Sequence, residues 1–294
     1  MKRFALFLCL LLPMPTAAAP SARQQKLQAK LERIAAGADG MRVGAAVWHF
    51  ADSEKAELDG NVPYPLASVF KLPLMLELAR QMQQGAKMSL TTQLTVRSSE
   101  KCIGSGIVKD LPDGTRVGVE RLIELMETIS DNTATDMLFR RIGLESVDKM
   151  MREIGCLQTE IQMTNRAAWL ISLGASRQFH GMSPARLAST WRRLSVPERL
   201  QAARSAENEN TGLSLSAFQR MEDASNRNTH AQDVLIATTI DNLASPTDLA
   251  RALQQLDSSG KLLDKKWRTY CLGVLSRQHY NSRIPRGLPS GAKV

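Results

Sequence analysis

Within the stretch PLASVFKLPLM, Pro65 to Met75, one residue restricts the fold more than its neighbours do. Pro73 has no backbone N–H and its ring clashes with a preceding helical turn, so a helix tolerates it only near its start. Leu72, Met75, Leu76 and Ala79 share one helical face until the run stops at QQGAK. The helix is therefore expected to begin close to Ser68, where backbone N–H groups are unpaired and the helix dipole is positive. Lys71 follows three residues later on the same face, so its nitrogen is expected beside the Ser68 hydroxyl. A serine hydroxyl becomes a nucleophile when a neighbouring base takes its proton, and a lysine serves once its surroundings lower its pKa. Taken alone, the pair proves little and reads first as the polar edge of a buried helix, because serine and lysine three apart occur by chance in most long chains.

The 294 residues, 43% hydrophobic and 23% charged, are enough for one large domain or two interleaved lobes. Lys2 and Arg3, an apolar run from Phe4 to Leu12 and small residues from Ala17 to Ala19 make the three-part pattern of a secretory signal peptide over residues 1–19. That run is too short for a bilayer span. The expectation is export, to a periplasm, with no stable membrane span after cleavage. Cys102, Cys156 and Cys271 lack paired C-x-x-C spacing and read as buried small hydrophobes, with at most one disulfide. His49, His180, His230 and His279 are scattered, with no H-E-x-x-H, so neither a metal nor a cofactor is expected. The net charge of +9 is dispersed, without interleaved aromatics or a basic run of five, which argues against a nucleic-acid partner. A basic surface suits an anionic envelope polymer, or is simply a solvated face.

Hydrophobic periodicity orders the rest. SARQQKLQAKLERIAAG reads as a helix closed by Gly37, and MRVGAAVWHF and KAELDGN as two strands joined by a polar turn. VGVERLIELMETI, TATDMLFRRIG and SVDKMMREIG read as helices, as do SPARLASTWRRL, SPTDLARALQQL and KWRTYCLGVLSRQ. The stretch from about 165 to 235 is polar and loosely periodic, and reads as a helical insertion with mobile loops. Ala292 to Val294 read as the opening of a strand.

SDN, Ser130 to Asn132, lies where one apolar helix ends and another begins, 62 residues after Ser68. S-x-x-K followed by S-D-N belongs to the signature of class A β-lactamases and penicillin-binding proteins. ASVFKLPLM and the run GSGIVKDLPDGTRVGVERLIELMETISDNTATDMLFRRIG resemble that family continuously from about Gly104 to Gly143. TTIDNLASPTDLARALQQL and RIPRGLPSGAKV resemble segments that follow its flexible loop and precede its last strands.

The resemblance implies an α+β fold, an antiparallel sheet flanked by helices plus an all-helical lobe, as one domain over residues 20–294. Residues 20–66 and about 240–294 would form the α/β lobe, and 67–240 the helical lobe carrying the insertion. It implies that Ser68 is the acylated nucleophile, that Lys71 relays its proton and that Ser130 passes a proton to the departing amide nitrogen. Asn132 would bind the substrate's side-chain amide and steady Lys71, Asp131 would fix the corner from inside, and the oxyanion would rest on the Ser68 N–H and one from a terminal strand. The implied partner is a β-lactam or a peptidoglycan stem peptide, met by a monomer.

The chain departs from the family in two places. Thr164 or Asn165 stands about where the family's deacylating glutamate would fall, and no E-x-x-L-N occurs there. The nearby acids Glu160, Glu207, Glu209 and Glu222 read as solvated surface charges. The K-T-G strand should follow GLPSGAKV almost at once and is not in the sequence, so a fragment or truncated product is expected; Lys293 is not assigned its role. The leading expectation is a β-lactam-opening serine hydrolase. A D-alanyl-D-alanine peptidase or other penicillin-binding cell-wall amidase is favoured by the missing glutamate, and a non-catalytic envelope protein by the missing strand.

Overall fold

The structure, a computed structural model, describes residues 19–38, 40–225 and 228–279. The signal peptide expected over residues 1–19 lies outside them except for Ala19, as does the strand expected at Ala292 to Val294. Helix α1 (Ala22–Ala36) starts where the Ser21 side chain accepts from Gln24 N at 3.0 Å and stops at Gly37. Strands β1 (Ala45–His49) and β2 (Glu54–Leu58) form an antiparallel hairpin with Val47 opposite Ala56. Gln28 of α1 covers the free edge of β2, giving a bond to Glu57 O at 2.9 Å and taking one from Glu57 N at 3.0 Å.

The α+β class stands, with helices dominant and strands paired antiparallel; among the described residues the strands form three two-stranded ladders. Besides the hairpin, β3 (Tyr64–Pro65) pairs with β6 (Leu243–Ala244), and β4 (Gln93–Thr95) with β5 (Arg116–Gly118).

The central helix is α2 (Lys71–Gln83), entered through one 3₁₀ turn over Ala67–Phe70. Ser68 thus sits in the tighter turn, and Pro73 is the third residue of α2, where its missing N–H costs no helical bond. Leu74, Leu76 and Leu78 are completely buried, so α2 is enclosed on nearly all sides. Even Glu77 is buried, its carboxylate bonded to Arg80 Nε at 2.6 Å. Around α2 pack α3 (Val119–Thr128), α4 (Asn132–Ile142) and α5 (Leu144–Glu153). Phe70 stacks on Phe139 of α4 at 5.9 Å, which seats the serine turn on the core.

The polar middle of the chain folds into α6 (Asn165–Ser172), α7 (Pro184–Arg193), α8 (Val196–Glu209), α9 (Leu215–Ser225) and α10 (His230–Ala237). They enclose a second core of their own, including Leu170, Phe179, Trp191 and Phe218. Helix α8 contributes only Ala202, Ala203 and Ala206 to burial, which explains its weak periodicity. Helices α11 (Pro246–Gln254) and α12 (Lys265–Leu275) return the chain to the first core. No helix among the described residues is long and apolar enough to cross a membrane.

A neck of backbone and amide bonds is one of the places where the two cores are joined. Asn242 Oδ1 accepts from Gln162 N at 2.8 Å and Met163 N at 3.1 Å, while its Nδ2 donates to Met163 O at 3.0 Å. Beside it, Glu160 and Leu243 exchange backbone bonds of 2.8 and 3.0 Å. Leu66 N then bonds to Asn242 O at 2.9 Å, so the neck also anchors the approach to Ser68. Asn242→Ala strips partners from buried backbone groups, each costing about 1–3 kcal/mol when left unpaired. It is expected to lower the unfolding free energy by about 3 kcal/mol in urea titration, and a loss below about 0.5 kcal/mol contradicts this account of the neck.

Candidate active site

The corner between α3 and α4 is built around one carboxylate. Asp131 is completely buried and caps α4, its Oδ1 accepting from Ala134 N at 2.9 Å. Its Oδ2 accepts from Ile107 N at 2.7 Å and Val108 N at 2.9 Å, which draws the loop from Cys102 to Val108 against the corner. That approach needs glycine. A Cβ on Gly106, where φ is +108°, would stand 2.2 Å from Asp131 Cγ, and one on Gly104 would stand 2.8 Å from Asn132 Nδ2. With Asp131 turned inward, Ser130 takes φ of +58°, in the left-handed region that costs a serine roughly 1–2 kcal/mol.

The corner receives Lys71, which is only 2% exposed. Its Nζ donates to Ser130 O and Ser130 Oγ, each at 2.8 Å, and to Asn132 Oδ1 at 3.0 Å. These use all three donors of an ammonium group. Burial pulls its pKa from 10.5 down to about 8, against the opposing charges of Asp136, Glu127 and Asp131. Glu127 is buried close enough to feel that ammonium, and burial raises its carboxyl to about 7.

Ser130 Oγ donates in turn to Ser68 Oγ at 2.9 Å. The link from Lys71 to Ser68 therefore runs through Ser130, and no direct hydrogen bond joins the pair where sequence spacing placed the nitrogen beside the hydroxyl. The physical reason is competition: the corner offers Lys71 three acceptors. Asn132 is held by its Nδ2 bond to Ile103 O at 3.0 Å and its N bond to Ser105 O at 3.0 Å. Ser68 itself is exposed. It opens into a cavity of about 450 Å³ shared with Asn132, Asn165, Trp169 and Asp241.

Thr164 and Asn165 both line this cavity, so the segment that replaces the expected glutamate does reach the cleft, without a carboxylate. The start of α6 is fixed by Asp136, whose buried carboxylate accepts from Asn165 N and Arg166 N, each at 2.8 Å. Burial raises its pKa to about 6. Glu207 is not a solvated charge: it joins Arg140 Nη2 at 2.5 Å and Thr164 Oγ1 at 2.6 Å, tying α8 to α4. Glu160 pairs with Arg199 at 3.2 Å, Glu209 accepts from Arg177 N at 2.8 Å, and Glu222 lines the cavity. Sequence reasoning missed Asp241, whose only signal was its place at the head of the family-like stretch DNLASPTDLA. Cys102, Cys156 and Cys271 are buried free thiols, the last two pushed up to about 12 by burial.

A model of the Beta-lactamase enzyme family matches residues 26–294. The chain belongs to this family. Two curated relatives, both from Pseudomonas aeruginosa, match part of it. The β-lactamase VEB-1 is 24% identical over 133 residues, 45% of this chain and 44% of that protein. The extended-spectrum β-lactamase PER-1 is 32% identical over 126 residues, 42% of this chain and 40% of that protein. The match thus spans less than half the length of either relative. Among solved structures, a β-lactamase of Sphaerobacter thermophilus superposes with a TM-score of 0.61 at 24% identity, covering 90% of this chain and 74% of the other. PBP-A gives 0.61 at 18% identity, covering 94% and 76%. At these identities both establish the β-lactamase-like fold.

The glycine requirement of this family member's corner can be measured. Gly106→Ala is expected to lower the melting temperature far more than Gly114→Ala, which has a similar φ of +87° but nothing within 4 Å of an added Cβ. The second change costs only left-handed strain, about 1–2 kcal/mol, and equal losses in the two variants contradict the close approach to Asp131.

Proposed function

We propose that the protein is an exported active-site serine hydrolase that opens a β-lactam amide through an acyl-enzyme on Ser68. The observation that carries this reading is the unbroken hydrogen-bonded path from Lys71 Nζ through Ser130 Oγ to Ser68 Oγ. Ser68 Oγ attacks the lactam carbonyl while its proton passes through Ser130 to neutral Lys71. Lys71 then returns the proton to Ser130, which passes it to the departing ring nitrogen, so Lys71 ends as it began. A lysine with a pKa of about 8 holds a useful neutral fraction near neutral pH, which an ordinary lysine does not. Of the two N–H groups on Asn132 Nδ2, one is taken by Ile103 O and the other is available to a substrate amide oxygen. Among the described residues nothing accepts from the Ser68 N–H, which suits it to the oxyanion. Residues 1–19 would direct the protein to the periplasm.

A second reading, a D-alanyl-D-alanine peptidase or related cell-wall amidase, is favoured by Thr164 and Asn165 standing in the cleft without a carboxylate. The two separate on turnover: fast hydrolysis of a chromogenic cephalosporin selects the first, a long-lived adduct the second.

A labelled penicillin is expected to attach covalently to the protein, and Ser68→Ala to abolish the adduct; no adduct on the intact protein overturns both readings. Acylation should speed up with rising pH as Lys71 loses its proton, and level off above about pH 8. A rate still climbing steeply beyond pH 9 contradicts a base with a depressed pKa.

A further inference from the structure

A serine ester turns over when water attacks its carbonyl carbon and a nearby group takes the water's proton. Neither Thr164 nor Asn165, the cleft residues on α6 and its cap, can be that group. We propose that Asp241, which enters the cleft from the opposite end of the insertion, is the general base that activates the deacylating water. This rests on the acyl-enzyme reading above.

Asp241 touches the nucleophile's own turn. Its Oδ2 accepts from Ala67 N at 2.7 Å, and Ala67 immediately precedes Ser68. Its Oδ1 accepts from Asn242 N at 2.7 Å, so the neck holds the other side of the carboxylate. The group is therefore fixed by two backbone N–H bonds, and each oxygen keeps a second lone pair for water. The carboxylate is thereby held on the backbone of the turn that carries Ser68, one residue before the nucleophile. Asp241 and Ser68 line the same cavity of about 450 Å³, which leaves room for that water beside a bound substrate.

Its environment suits the task. Burial raises the Asp241 pKa to about 6, opposed by the two backbone bonds, so the group is ionised at neutral pH yet more basic than a free aspartate. The other acids are engaged elsewhere. Asp136 is completely buried with both oxygens spent on α6, and Glu207 is spent on Arg140 and Thr164. Glu222 and Asp233, the other titratable groups lining the cavity, bond only within the insertion, to Gln219 and Asn228. Asp241 alone among these is bonded to the turn that carries Ser68.

In the step itself, the water oxygen bonds to the acyl carbon as one water proton moves to Asp241. The tetrahedral intermediate then breaks its bond to Ser68 Oγ, and Asp241 returns that proton to the serine. The acyl group leaves as a carboxylic acid, which loses its remaining proton to solvent.

The test follows a labelled penicillin on the intact protein and on Asp241→Asn, measuring adduct formation and release separately. Asp241→Asn is expected to form the adduct within about threefold of the wild-type rate but to release it at least about 100-fold more slowly. Hydroxylamine, a nucleophile that needs little help from a base, should discharge the stalled adduct. An adduct with the same lifetime in both proteins, or a wild-type adduct that is never released, overturns the role of Asp241 alone. Absence of any wild-type adduct overturns the acyl-enzyme reading itself, and this role with it. Should Asp241→Asn fail to fold, Asp241→Ser is measured in the same way: release at least about 100-fold slower supports the role, and release at the wild-type rate overturns it.

Discussion

Lys71 enters the protein at the first turn of its most enclosed helix, where a charged nitrogen with unmet donors would cost several kcal/mol. Three oxygens from the Ser130 to Asn132 corner meet that demand. Much of the local architecture follows from placing them. Asp131 has to face inward to cap α4 and pin the loop before Val108; Ser130 has to take a left-handed backbone; Gly104 and Gly106 have to lack side chains. Burial lowers the pKa of the ammonium, and the arrangement that makes the buried group tolerable also aims Ser130 at Ser68.

The helical frame was legible because its signals are local. Pro73 marks the start of α2, glycines close α1 and α4, and Ser-Pro pairs open α7 and α11. Periodicity failed in α8, where alanines do the packing and leave a weak apolar stripe. It also left the second core invisible, since Phe179, Trp191 and Phe218 are scattered over forty residues and meet only in three dimensions.

The site divides in the same way. Ser68, Lys71, Ser130 and Asn132 could be singled out from two short motifs, but their wiring could not: spacing alone joined lysine directly to serine, while the folded corner routes the link through Ser130. The acids show the same limit more sharply. Glu207 reads as a surface charge until Arg140 and Thr164 are brought to it, and Asp241 acquires interest only through Ala67, 174 residues away in the chain. Roles set by pairing across long separations are not written in any one stretch of sequence.

The neck at Met163 and Asn242 carries one more consequence. A segment whose two ends lie side by side, and which buries apolar residues of its own, can vary in length wherever it does not touch the frame. The entropy of closing such a loop grows only logarithmically with its size. Such freedom belongs to the loops away from α6 and α8, because Asp136, Arg140 and Lys101 tie those two helices to the frame. Because Asn165 stands at one end of the segment and Asp241 at the other, a change in those loops bears on the wall of the cleft while α6 and α8 hold their places.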